Sequence, residues 1–130
     1  MATITADKIL EGGFTSSPAA CNTGGDEFQN SGIEFLKIQN NHASQAYNVT
    51  VVAQTTSVTN LDYGKLTKSN AVWEVAAGQT IYMGPFKQRA YNDANEKVQL
   101  TYLTTGGAAL STVSSGTHAL TVEVLYLEQI

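Results

Sequence analysis

A chain of 130 residues, 42% hydrophobic and 14% charged, is one domain's worth of polypeptide, long enough to take roughly two-thirds of its unfolded surface out of water. The charged fraction falls well below the ~25% of an average soluble domain, which excludes disorder by high net charge and a charge-rich helical bundle. Seven basic against eleven acidic residues give a net charge of −4, so the basic footprint that neutralises phosphates is missing and nucleic acid is not an expected partner.

Residues 1–30 stand apart. Turn-forming and small residues (Gly12, Gly13, Ser16, Ser17, Pro18, Gly24, Gly25) punctuate this stretch, and its apolar side chains Ile4, Ile9, Leu10 and Phe14 are widely scattered. Such a segment cannot build a core of its own. It is expected to be an extended N-terminal arm, either mobile or laid along another surface, with a single helical turn after Asp7 as one option before Gly12 and Gly13 stop it. Removing residues 2–24 is expected to leave the rest folded. Cys21 is the single cysteine and has no disulfide partner in the chain. With no neighbouring His or Lys to lower its pKa, it reads as an inert thiol.

From residue 33 short β-type runs take over. Residues 33–38 form the first. In 47–55, Tyr47, Val49, Val51 and Ala53 alternate with mostly polar neighbours at period two, the mark of a half-buried strand. Residues 71–75 follow, then a turn at Ala76, Ala77 and Gly78, then a run to Met83 closed by Gly84 and Pro85. Val98, Leu100 and Tyr102 alternate in the next run, and 120–127 is the most apolar and most central. Several five-to-nine-residue runs with Gly, Asn and Ser breaks predict an all-β fold, an antiparallel β-sandwich of jelly-roll or Greek-key type spanning 31–130. The linker 56–70 suits a Greek-key crossing between sheets. The long segment 104–116 reads as a projecting hairpin, with Leu110 and Val113 near its tip, or as a loop.

Chemistry is sparse. His42 and His118 are far apart in sequence, without the i, i+2 spacing and nearby carboxylate a metal site on a strand prefers. Asp26 with Glu27, and Asp93 with Glu96, are the main carboxylate groups. The second follows Asn92 and fits turn chemistry better than calcium or catalysis, because Asn and Asp side chains bond to nearby backbone. No cofactor and no metal are expected. Trp73 alternates in phase with Val75 and reads as a core or inter-subunit residue. The alternative is an aromatic row with Tyr82, Tyr63 and Tyr91 that stacks sugars. No apolar run reaches the ~18 residues of a membrane helix, and the first residues lack a signal peptide's pattern, so synthesis in a cytoplasm is expected.

One ordered set of residues resembles a family. It runs from Gly25, Asp26 and Phe28 through Phe35, Leu36 and Asn40 and the 47–55 strand to Ala77 and Gly78. It continues with Gly84, Pro85 and Phe86, then Tyr91, Asn92 and Asp93, then Val98 to Tyr102. This set resembles capsid decoration, or cement, proteins of tailed bacteriophage heads; residues 1–24 and the 104–116 insertion have no counterpart in the pattern. The resemblance implies a non-enzymatic virion structural protein on the outer capsid surface, made in the bacterial host, bound to the major capsid protein and assembled as a homotrimer. Candidate capsid or subunit contacts are Ile4, Ile9, Leu10, Phe14, Trp73, Leu110, Val113, Leu127 and Ile130. Fully extended, the first twenty-four residues would reach up to ~80 Å. Other readings are a carbohydrate-binding module displayed on a virion, and a tail-tube or head-closure component.

Overall fold

Strand-length runs of alternating side chains bury one face each, so they settle by packing two sheets face to face. The computed structural model describes residues 1–55, 57–60, 64–108 and 120–128. In chain order the strands are β1 (Ala2–Ile4), β2 (Asp7–Ile9), β3 (Ala19–Ala20), β4 (Asp26–Gln29), β5 (Phe35–Asn40) and β6 (Tyr47–Val51). After them come β7 (Ser57–Asn60), β8 (Gly64–Thr67), β9 (Ala71–Val75), β10 (Thr80–Met83), β11 (Lys97–Thr104) and β12 (Leu120–Leu127), with one helical turn, α1 (Gln88–Tyr91), before β11.

Sheet one has the order β1-β4-β11-β6-β9, and sheet two the order β10-β5-β12-β2, with β3 also pairing with β12. Between them lie Phe28, Leu36, Ile38, Val49, Val51, Val98, Leu100, Leu120, Val122 and Val124, all essentially closed to solvent. The protein is thus an all-β sandwich. Its sheets are antiparallel except at two places, where β1 joins β4 and β2 joins β12 in parallel.

Those two parallel pairs come from the N-terminal segment. Residues 1–30 are extended, yet they put strands into both sheets, so residue 30 is no structural boundary. Ile4 packs against the core and Ile9 is half-buried. Asp7 to Ile9 forms a strand, where a helical turn had been an option, and Leu10 to Gly13 closes as a turn with Gly13 N donating to Leu10 O at 3.1 Å. Further along, Ser16 Oγ and Ser17 N each donate to the carboxylate of Glu123 at 2.7 Å. Glu123 stands on the outer face of β12 and is almost fully buried, opposite Lys37 of β5, whose Nζ donates to Ser16 Oγ at 3.1 Å.

Two connections differ from expectation. Strands β6 and β9 pair directly in one sheet, so the linker 56–70 does not cross between sheets; it carries the β7–β8 hairpin instead. The turn after Val75 does make a crossing, since β9 belongs to sheet one and β10 to sheet two. Asn40 holds that corner: its amide Nδ2 donates to Val75 O at 3.0 Å and to Gln45 O at 2.8 Å, while Gly78 N donates to Asn40 O at 2.9 Å. At the start of the 104–116 segment, Gly107 N donates to Thr104 O at 2.9 Å. Leu110, Val113, His118, Tyr63 and Ile130 lie outside the described residues.

Glu123→Ala should lower stability by about 1–3 kcal/mol, the scale for removing a charged acceptor from part-buried donors, and should speed protease cleavage within residues 10–20. Urea denaturation and limited proteolysis read the two effects. Deleting residues 2–24 removes β1, β2 and β3 and uncovers the edges of β4 and β12. In place of the undisturbed fold suggested by sequence, a reduced denaturation midpoint and self-association on gel filtration are expected.

Candidate functional site

The two sheets end on the same side in strands with one neighbour each, β9 and β10. Each therefore leaves one side chain face and one backbone edge without a strand beside it. Trp73 is in phase with Val75, and the period-two rule would send both into the core. Val75 is closed to solvent, but Trp73 is 59% exposed. Ala71 and Val75, on the same face, both reach the core, whereas Trp73 between them is left uncovered where β9 ends its sheet. Trp73 is accordingly not a core residue. Tyr82 on β10 is 64% exposed, and its ring lies 6.4 Å from that of Phe35.

Trp73 and Tyr82 line an open groove of about 380 Å³, whose floor includes Pro85, the buried Phe86 and Tyr91. Phe86 packs on Phe28 at 6.1 Å and on Tyr91 at 5.6 Å, centroid to centroid. The Gly84-Pro85-Phe86 block thus sets the groove wall as well as closing the core. Lys68 and Lys87 also line the groove. The Lys68 ammonium sits 5.4 Å above the Tyr91 ring, in cation–π range. Sequence reading singled out Trp73 and Tyr82 but missed both lysines; they flank the β9 run and the Gly-Pro-Phe block, where charge next to aromatic strands was the available signal.

At the other side of the sandwich β2 and β12 finish together, with Leu127 opposite Ile9 and Glu128 N donating to Ile9 O. Leu10, Phe14 and Leu127, three of the candidate contacts, are exposed by 49%, 37% and 57% in this neighbourhood. A second hollow, of about 350 Å³, lies between β1, β2 and β12 and includes Asp26 and Glu123 in its walls.

The carboxylates are occupied by scaffold. Asp26 accepts from the Tyr102 hydroxyl at 2.7 Å and from Asn22 N at 3.1 Å. Glu27 pairs with Lys97 at 3.4 Å. Asp93 takes the backbone N–H of Asn95 at 2.8 Å and of Lys97 at 3.0 Å. The Lys97 N–H above all, with the Gln99 amide and the Asn95 N–H, holds the Asp93 carboxyl below its usual range. Burial pushes Glu34 up, but the Ser31 hydroxyl and the N–H groups of Ser31 and Ile33 outweigh it, so its pKa is also lowered. Burial raises the Cys21 thiol pKa far above neutrality, partly opposed by a hydrogen bond with Tyr102. A protonated, enclosed thiol is a poor nucleophile. Among the described residues, no three His, Cys, Asp or Glu side chains are grouped to hold a metal ion, and no helix is long and apolar enough to cross a membrane.

No protein-family model, curated protein or solved structure matches the chain.

Lowered carboxyl pKa values stabilise the fold above the unfolded-state values near pH ~4, and that stability is lost as pH falls through the folded-state values. Asp93→Asn and Glu34→Gln should therefore lower the urea midpoint at pH 7 and flatten its decline toward pH 3. Gly25 has φ +93°, and a Cβ there would sit 2.5 Å from the Leu100 carbonyl oxygen. Gly25→Ala should cost about 1–3 kcal/mol or more, read by the same titration.

Proposed function

We propose that this protein is a non-enzymatic structural protein of a tailed-phage virion, one that binds the outer face of an assembled head and braces neighbouring capsomers. The observation that carries the reading is the exposure of Leu10, Phe14 and Leu127 around the ends of β2 and β12, while the internal carboxylates serve as acceptors for the scaffold. Large apolar side chains held outward by a rigid sandwich suit adhesion. The family resemblance of the Gly-Pro-Phe and Tyr-Asn-Asp blocks adds the kind of surface adhered to, and with it the major capsid protein as partner and the homotrimer as assembly.

The mechanism is mass action. A protein that binds the assembled lattice and not its free subunits stabilises the lattice by an amount set by its affinity and free concentration. Many copies, each binding modestly, act on one shell. Of the N-terminal side chains, Leu10 and Phe14 serve this contact, whereas Ile4 is engaged in the protein's own core.

A second reading, a carbohydrate-binding module displayed on a virion, is favoured by the Trp73–Tyr82 groove. The two readings use different faces of the sandwich.

Sedimentation of the purified protein with assembled, empty phage heads tests the first reading. Co-sedimentation with heads but not with unassembled capsid protein is expected, and the Leu10→Ser/Phe14→Ser double variant should bind at least about tenfold more weakly, the loss of roughly one buried apolar side chain. Equal binding by the variant, or none by the native chain, would sink the proposal.

A further inference from the structure

We propose that the groove between β9 and β10 binds a carboxylate-bearing oligosaccharide, a chain of hexuronate units, with Trp73 and Tyr82 as stacking surfaces and Lys68 and Lys87 as carboxylate partners. The inference rests on the carbohydrate reading of this groove and adds the charge of the ligand; it is independent of head binding.

Charge is the first ground. The chain carries a net charge of −4, yet both charged side chains lining this groove are lysines, and no Asp or Glu lines it among the described residues. Neither Lys68 nor Lys87 forms a salt bridge among those residues, whereas Lys37 and Lys97 both do. Lys68 is held over Tyr91, so its ammonium is positioned before any ligand arrives and less ordering is needed on binding. A neutral sugar would leave both ammonium groups without a counter-charge. A carboxylate on the ring gives them one through charge-assisted hydrogen bonds.

Shape is the second. A volume of about 380 Å³ lies at the small end of the ~300–1,000 Å³ range of small-ligand sites. Two large aromatic side chains that line it stand more than half exposed on strands of the scaffold, Tyr82 beside the ring of Phe35, and an exposed aromatic ring is the kind of surface on which the C–H face of a pyranose stacks. The walls come from both sheets, since Trp73 lies on β9 and Tyr82 on β10. An acidic peptide adding as a strand would follow one edge and leave the other wall empty, because strand addition draws its affinity from the main-chain bonds of a single edge. The pyranose chain is therefore the better occupant.

The test is isothermal titration calorimetry of the full chain with oligogalacturonate, with a neutral galactan oligomer of equal length, and with poly-glutamate. Trp73→Ala, Tyr82→Ala and the Lys68→Ala/Lys87→Ala pair serve as variants. All four side chains are exposed, and thermal melts should show each variant folded like the parent. Oligogalacturonate is expected to bind, with affinity lowered roughly tenfold or more by Trp73→Ala and also by the double lysine variant. Its affinity should fall with added salt. Equal binding of the neutral oligomer, unchanged by the lysine variant, would overturn the acidic specificity and leave the carbohydrate reading standing. Poly-glutamate bound as tightly, with Trp73→Ala without effect, would replace the sugar with an acidic protein segment. Binding of none of the three would remove both the inference and the carbohydrate reading, with the head-sedimentation result unaffected.

Discussion

A single carboxylate organises the relation between the first thirty residues and the rest of the chain. Glu123 projects from the outer face of β12, where a charge would ordinarily stand in water. The chain's own Ser16 and Ser17 close over it, each donating at 2.7 Å, with Lys37 on the neighbouring strand alongside. A buried carboxylate persists only when its oxygens are supplied with donors. The N-terminal segment supplies them, and the route it takes to do so carries β2 and β3 to the flank of β12. Leu125, in phase with Glu123, is buried on the same outer face. The central strand of sheet two is therefore covered on both sides, inwardly by the core and outwardly by a segment with no core of its own.

This arrangement gives the two sides of the sandwich different characters. Where the N-terminal segment adds β1 and β2, the sheets are extended by parallel strands, and the exposed apolar side chains Leu10, Phe14 and Leu127 belong to the segment or to the strand end beside it. On the opposite side no such cover is present among the described residues, and β9 and β10 end the sheets with Trp73, Tyr82 and two lysines between them. The corner amide of Asn40 keeps the two edges in a set relation, because it bonds across from sheet two to the end of β9. One side thus exposes aliphatic and aromatic side chains, and the other an aromatic groove with positive charge.

Much of the fold is legible in the residues. Period-two alternation at Tyr47, Val49 and Val51, and at Val98, Leu100 and Tyr102, places strands and their inward faces, since a strand's side chains can only alternate and the apolar set must go in. The Asn92-Asp93 turn follows likewise from local bonding, with Asp93 accepting the N–H groups of Asn95 and Lys97. Less of the candidate site is legible. Trp73 has the phase of a core residue, and nothing in its neighbours tells that β9 ends a sheet and leaves that phase uncovered.

Local pattern, then, was enough to determine an all-β chain, the main strands and the turn chemistry, because each of these depends on contacts within a few residues; that Cys21 is enclosed came only from the packing of the N-terminal segment. The tertiary structure decided which strands became edges, that 56–70 returns to its own sheet, that residues 1–30 are woven into both sheets, and that Lys68 and Lys87 share a groove with Trp73 and Tyr82. Those outcomes depend on pairings between residues far apart in the chain, such as Ser16 with Glu123 and Asn40 with Val75, and the free energy of such a pairing is set by what else is packed around it.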